Sequence, residues 1–193
     1  DTDIPENTMS DQQKTFSRRE FVTAATAVAA AATLVPPGAA AAGTSARALR
    51  DYMQHDATGL AELVRRREVS PAELLELAIA RAEAVNGAIN ALCLKHYGEA
   101  RAALKNIDPR APLAGVPFLL KDLGVYLEGT VTSNGSRFFR DRVATQTSTV
   151  VRRYQAAGLN IFGKTTSPEF GQIPNTVSSL YGKTRNPWNL EYS

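Results

Sequence analysis

The chain has 193 residues, 44% hydrophobic and 21% charged, with a formal net charge of +3. That balance excludes a disordered or collagen-like polymer and bounds the chain to one domain with room for a tail. A single cysteine, Cys93, rules out an internal disulfide. The basic residues, Arg65-Arg66-Arg67, Arg101, Arg137, Arg140 and Arg152-Arg153, are scattered. A nucleic-acid surface needs them clustered with stacking aromatics, so none is expected here.

The first forty or so residues read differently from the rest. Arg18-Arg19 precede the weakly apolar, alanine-rich run Val22 to Val35; Pro36-Pro37-Gly38 break it, and Ala39-Ala40-Ala41 follow as small residues. Charge, apolar run, breaker and small-residue site come in the order of a bacterial twin-arginine (Tat) export signal. The run is too short for a stable membrane anchor, which needs about 20 apolar residues. Residues 1–8 are therefore expected to be translated upstream sequence, 9–42 a Tat leader read by the export machinery, and 43–193 the folded part. The expected destination is the periplasm or the outside of the cell.

The spacing then predicts a helix over 58–67, capped by Thr58 with Leu60, Leu63 and Val64 on one face. Ser70-Pro71-Ala72-Glu73 is a capping box with proline at the first helical position, opening a helix over 70–86. Its stripe is Leu74, Ala78, Ala82 and Val85, with Leu75 and Ile79 beside it, and Asn86-Gly87 ends it. Residues 89–94 read as a short strand and 99–104 as a short helix. The apolar run 115–120 reads as a buried strand and 129–136 as a loop. Next come a helix over 147–157, with Val150, Val151, Tyr154 and Ala157 inward, and a strand over 159–163. Helices alternating with short apolar strands indicate an α/β layer fold, with both apolar strands in one sheet.

Gly158-Leu-Asn-Ile-Phe-Gly163-Lys164-Thr165 matches a phosphate-loop pattern. The pattern works only where a strand precedes the first glycine and a helix starts at the lysine. Here a helix precedes it and the spacer is itself a strand, so the match is accidental. His55 and His96 have no metal-ligand spacing, and no metal site is expected. They read as surface or satisfied histidines, and Cys93, between leucines, as a buried small hydrophobe. No Gly-x-Ser-x-Gly elbow is present.

Lys121 closes the run Val116-Pro117-Phe118-Leu119-Leu120. A free lysine, near 10.4, is protonated at neutral pH and cannot accept a proton. Burial disfavours the ammonium, and a lysine at the end of a core strand is placed for such burial. The plainer alternative is a strand-end lysine paired with Asp122 and reaching solvent.

Four ordered segments decide between these readings. Gly115-Val-Pro-Phe-Leu-Leu-Lys121-Asp122, Thr132-Ser-Asn-Gly-Ser136, Gly163-Lys-Thr-Thr-Ser-Pro-Glu-Phe-Gly171 and Gly182-Lys-Thr-Arg-Asn-Pro-Trp188 resemble the amidase signature family over about 140 residues. The resemblance implies a mixed β-sheet core covered by helices and cofactor-free hydrolysis of a carboxamide in a small linear or cyclic amide. The catalytic triad would be Ser–Ser–Lys, with Lys121 the general base and both serines beyond Ser193, so the chain alone would be an inactive N-terminal part. Lys164 and Lys183 do not align with the base. Residues 171–179, Gly171 and Gln172 first, are expected to line the acyl pocket. Two other readings remain open: an exported non-catalytic binding protein of the same fold, and an amidotransferase A-type subunit.

Overall fold

The structure, a computed structural model, describes residues 51–193. The leader expected over 9–42, and the residues before it, lie outside the described residues.

Helix α1, Ala57–Arg65, starts one residue earlier than the sequence predicts, and Asp56 caps it in place of Thr58. The Asp56 carboxylate accepts from the Gly59 N–H at 2.7 Å and from the Thr58 hydroxyl at 2.7 Å. A carboxylate satisfies the first-turn N–H groups better than a hydroxyl, so the aspartate takes the cap. Helix α2, Pro71–Ile89, has the expected capping box, with Ser70 and Glu73 bonded reciprocally. It runs past Asn86-Gly87, because Asn86 spends its side chain elsewhere. Its Oδ1 accepts from the N–H groups of Ala91 (2.9 Å) and Leu92 (2.7 Å), and its Nδ2 donates to Leu92 O. The helix stops instead at Asn90, in the left-handed region at φ 51°.

Strand β1, Leu92–Lys95, leads into helix α3, Tyr97–Ala103, and strand β2, Pro117–Lys121, follows. After a long loop come helix α4, Thr149–Ala156, and strand β3, Asn160–Thr165. The sheet order is β1-β3-β2, with β3 parallel to β2 and antiparallel to β1. Both predicted strands thus share a sheet, as their apolar patterns require. A two-stranded ribbon, β4 (Val177–Ser178) and β5 (Gly182–Lys183), closes the described chain. Gly158 follows α4 at φ 93° and leads directly into β3, so the phosphate-loop pattern has no loop to fold into.

Each face of the sheet has its own cover. On one, Phe162 packs with Leu75, Ala78, Ile79 and Ala100 from α2 and α3, joined by Leu119. On the other, Leu120 and Ile161 pack against Val151 of α4. A third cluster joins α1 and α2 through Leu60, Ala61, Leu74 and Leu77 to Val116. Apolar burial of this kind contributes about 25 cal/mol per Å² and holds the three layers together. Val150, predicted inward, is 39% exposed, because α4 has a single narrow contact stripe centred on Val151.

Candidate active site

Parallel strands carry functional groups at their carboxyl ends, where the chain leaves the sheet. Here the two parallel strands end level, Lys121 paired with Thr165 and Leu120 with Lys164. Paired residues share a face and successive residues alternate, so the two lysines leave the sheet on opposite sides.

Lys121 is exposed, which corrects the expectation of burial. Its ammonium donates to the Thr166 carbonyl at 2.9 Å, its one hydrogen bond among the described residues. The helices that cover this face pack around Leu119 and Phe162, and the Lys121 side chain is exposed beyond them. Pairing with Asp122 does not occur either. Asp122 is fully buried and accepts from the Ser133 N–H (2.8 Å), the Ser133 hydroxyl and the Gly135 N–H (3.4 Å).

The buried lysine is Lys164. It is fully enclosed and donates to the Val131 carbonyl and to Thr132 Oγ1, the latter at 2.6 Å. Burial pushes its ammonium down to about 8, against the opposing pull of the Asp122 carboxylate. Asp122 and Lys164 therefore grip the same segment from two strands, and Thr132, Ser133, Asn134 and Ser136 are all buried as a result. Gly135 is required there. At φ 69° it lies so near Ser167 O that a Cβ would come within 2.6 Å of it. Asn134, the first residue of a glycosylation-like triplet, is buried, with its Oδ1 held by the Gly124 N–H at 3.0 Å.

Cys93 is half-buried instead of fully enclosed, and its Sγ donates to Lys164 O at 3.3 Å. Burial pushes its thiol up to about 12, so it is no nucleophile at neutral pH. His96 is buried, not on the surface, and its Nε2 has no partner among the described residues. Burial therefore lowers its affinity for a proton. The Tyr181 phenol, close to Ser133, is raised by burial to about 12.

Gly171 sits at φ 69° against Leu123, two residues beyond Lys121, so it shares the Lys121 end of the sheet. Gln172 is exposed and its amide donates to Phe170 O at 3.2 Å. Gly171 thus lies near the Lys121 end of the sheet, and Gln172 follows it in sequence with its amide turned to Phe170 O. Asp122, Ser133, Lys164 and Thr166 were not foreseen from sequence. For Lys164 a signal existed: it ends the apolar run Ile161-Phe162-Gly163 as Lys121 ends Phe118-Leu119-Leu120.

The family model described as Amidase matches residues 73–193. The chain is 42% identical over 137 residues to a 6-aminohexanoate-cyclic-dimer hydrolase of Paenarthrobacter ureafaciens, covering 70% of this chain and 27% of the relative. It is 40% identical over 139 residues to the A-type subunit of a glutamyl-tRNA(Gln) amidotransferase of Deinococcus radiodurans, covering 70% and 29%. A solved 6-aminohexanoate cyclic dimer hydrolase complexed with substrate superposes with a TM-score of 0.67 at 41% identity, covering 70% of this chain and 28% of that one. The chain thus spans less than a third of the length of the relatives it matches.

Proposed function

This chain belongs to the amidase family, and on that footing we propose that it supplies the proton-accepting lysine of an amide hydrolase acting on small linear or cyclic amides. Lys121 is the general base of a Ser–Ser–Lys triad whose two serines come from sequence following Ser193. As general base, the side-chain amine of Lys121 draws a proton from the bridging serine, which draws one from the nucleophilic serine as that oxygen attacks the amide carbonyl. Backbone N–H groups of the serine-bearing loop hold the oxyanion. The relay returns the proton to the departing amine, and water then releases the acyl group. Gly171 and Gln172 line the acyl side of the pocket.

One observation carries this reading. Lys121 stands exposed at the carboxyl end of β2 and makes one hydrogen bond among the described residues, where an ammonium has three donors to offer. It is held in direction yet open to a hydroxyl from outside. Lys164, enclosed and bonded to the loop, is not. The test is hydrolysis of a nitroanilide by this chain alone and by the chain extended with the sequence that follows it in its gene. The extended protein should turn over and the chain alone should not. Turnover by the chain alone would overturn the assignment.

The 40% identity to an amidotransferase component favours a second reading, ammonia release for a partner enzyme. Glutamine hydrolysis that depends on added partner proteins would select it. We further propose Tat export through Arg18 and Arg19. The pair replaced by lysines should leave the protein in the cytoplasm, because the guanidinium pair, not charge alone, is read.

A further inference from the structure

The ammonium of Lys121 has one acceptor among the described residues, the main-chain carbonyl of Thr166. What holds that carbonyl in place is therefore what aims the base. Thr166 is the first residue past β3; its N–H still pairs with β1's side of the sheet, but its carbonyl has no main-chain partner among the described residues. Thr166 is 5% exposed, and its side chain anchors it.

The Thr166 N–H donates to Ala91 O at 2.8 Å, and its hydroxyl lies 2.6 Å from the hydroxyl of Thr184. Thr184 Oγ1 donates onward to Asn90 O at 2.8 Å. Each hydroxyl has one proton and also faces a carbonyl, Thr184 that of Asn90 at 2.8 Å and Thr166 that of Ala91 at 3.3 Å; the shorter bond takes the Thr184 proton and leaves Thr166 as the donor to Thr184. The chain of bonds does not end there. The Asn90 amide donates to Tyr181 O (2.7 Å) and Lys183 O (3.2 Å), and the Arg185 N–H to Ile89 O (2.8 Å). Asn90 is itself in the left-handed region at φ 51°, the conformation that turns both its carbonyl and its amide toward this segment. The end of α2, the exit of β3 and the β4–β5 ribbon thus meet at two threonine hydroxyls, one of them on the residue whose carbonyl receives Lys121.

We propose that Thr166 and Thr184 are positioning residues for Lys121: their hydroxyl pair fixes the Thr166 carbonyl, and through it the direction of the catalytic amine, without touching substrate. This inference rests on the assignment of Lys121 as the base. A misplacement of about 1 Å in a reacting group costs up to about 100-fold in rate. Binding of substrate, by contrast, does not use either hydroxyl, so the loss falls on kcat and not on KM.

The test uses the extended protein and the nitroanilide, with Lys121→Ala, Thr166→Val, Thr166→Ser and Thr184→Val compared for kcat, KM and Tm. Valine keeps the threonine shape and removes the hydroxyl; serine restores it. The expected result is a kcat lowered about 10- to 100-fold in both valine variants, KM within about two-fold, and Thr166→Ser near the unmodified protein. Should Thr166→Val not fold, Thr184→Val breaks the same pair from its other end. Unchanged kcat in the valine variants, with Lys121→Ala inactive, overturns the positioning role and leaves the base assignment standing. Losses shared by Thr166→Ser, or KM rising in step with falling kcat, overturn it as well, since they mark a general structural defect. Activity retained in Lys121→Ala overturns the base assignment itself, and the positioning role with it.

Discussion

Lys121 and Lys164 end neighbouring parallel strands one residue out of step, and that single residue gives them opposite fates. Lys121 leaves on the Leu119 face, and its side chain stays exposed with one carbonyl to lean on. Lys164 leaves on the face where the 130–136 segment folds over it, so its ammonium is enclosed and spends its donors on Val131 and Thr132. Burial lowers the proton affinity of Lys164, the lysine enclosed by the loop it holds. Perturbed titration alone is a poor guide to chemistry when burial without access causes it. Access and direction separate these two lysines better than burial does.

The comparison breaks most visibly in turnover. In the extended protein, Lys121→Ala should lower nitroanilide turnover by about four orders of magnitude or more, the scale of removing one member of a hydrolase triad. Its stability should move by less than about 0.5 kcal/mol, because an exposed side chain with one hydrogen bond is lost. Kinetics and urea unfolding on the same sample check both halves. Near-normal turnover would place the base elsewhere.

The opposite signature is expected one residue on. Asp122→Ala leaves the Ser133 N–H and hydroxyl buried without their carboxylate, while the Gly135 N–H keeps Ser133 Oγ at 3.1 Å. At about 1–3 kcal/mol for each orphaned group, unfolding should become easier by about 3 kcal/mol or more. A loss under about 1 kcal/mol by urea unfolding would mean that Asp122 does not hold the loop.

Lys164 should reveal itself through pH. Its folded-state value, about 8, lies below the ordinary 10.5, so between those values the unfolded chain binds more protons than the folded one. Stability should therefore rise with pH from about 8 to about 10.5, the cost of the buried ammonium being fully present below 8. Lys164→Met should flatten that rise. An unchanged slope across unfolding curves at about pH 7.5, 9 and 10.5 would assign it to other groups.

The smallest effect belongs to the far end of the molecule. Ser70→Ala removes half of the α2 capping box and should cost about 1 kcal/mol in unfolding free energy, with no change in kcat. A change in kcat would tie the entry of α2 to the site, contrary to their separation.

Features under short-range control were legible in the sequence. The capping box Ser70-Pro71-Glu73 starts α2 at the expected residue, and the continuous apolar runs before Lys121 and Lys164 make the two parallel strands. The ordered motifs pointed to an α/β fold of the amidase family, and the family model and the sheet agree. Element ends were less legible where two residues compete for one task, as Asp56 and Thr58 do for a cap, or where a side chain bonds across a turn, as Asn86 does. Tertiary contacts alone settled which lysine is covered, that Asp122 turns inward to Ser133, and that Thr166 meets Thr184. Those outcomes depend on segments 11 to 94 residues apart coming into contact, and the residues that close such contacts carry no local pattern. A lysine after an apolar run looks the same twice in this sequence; the chain folded above each one makes them different.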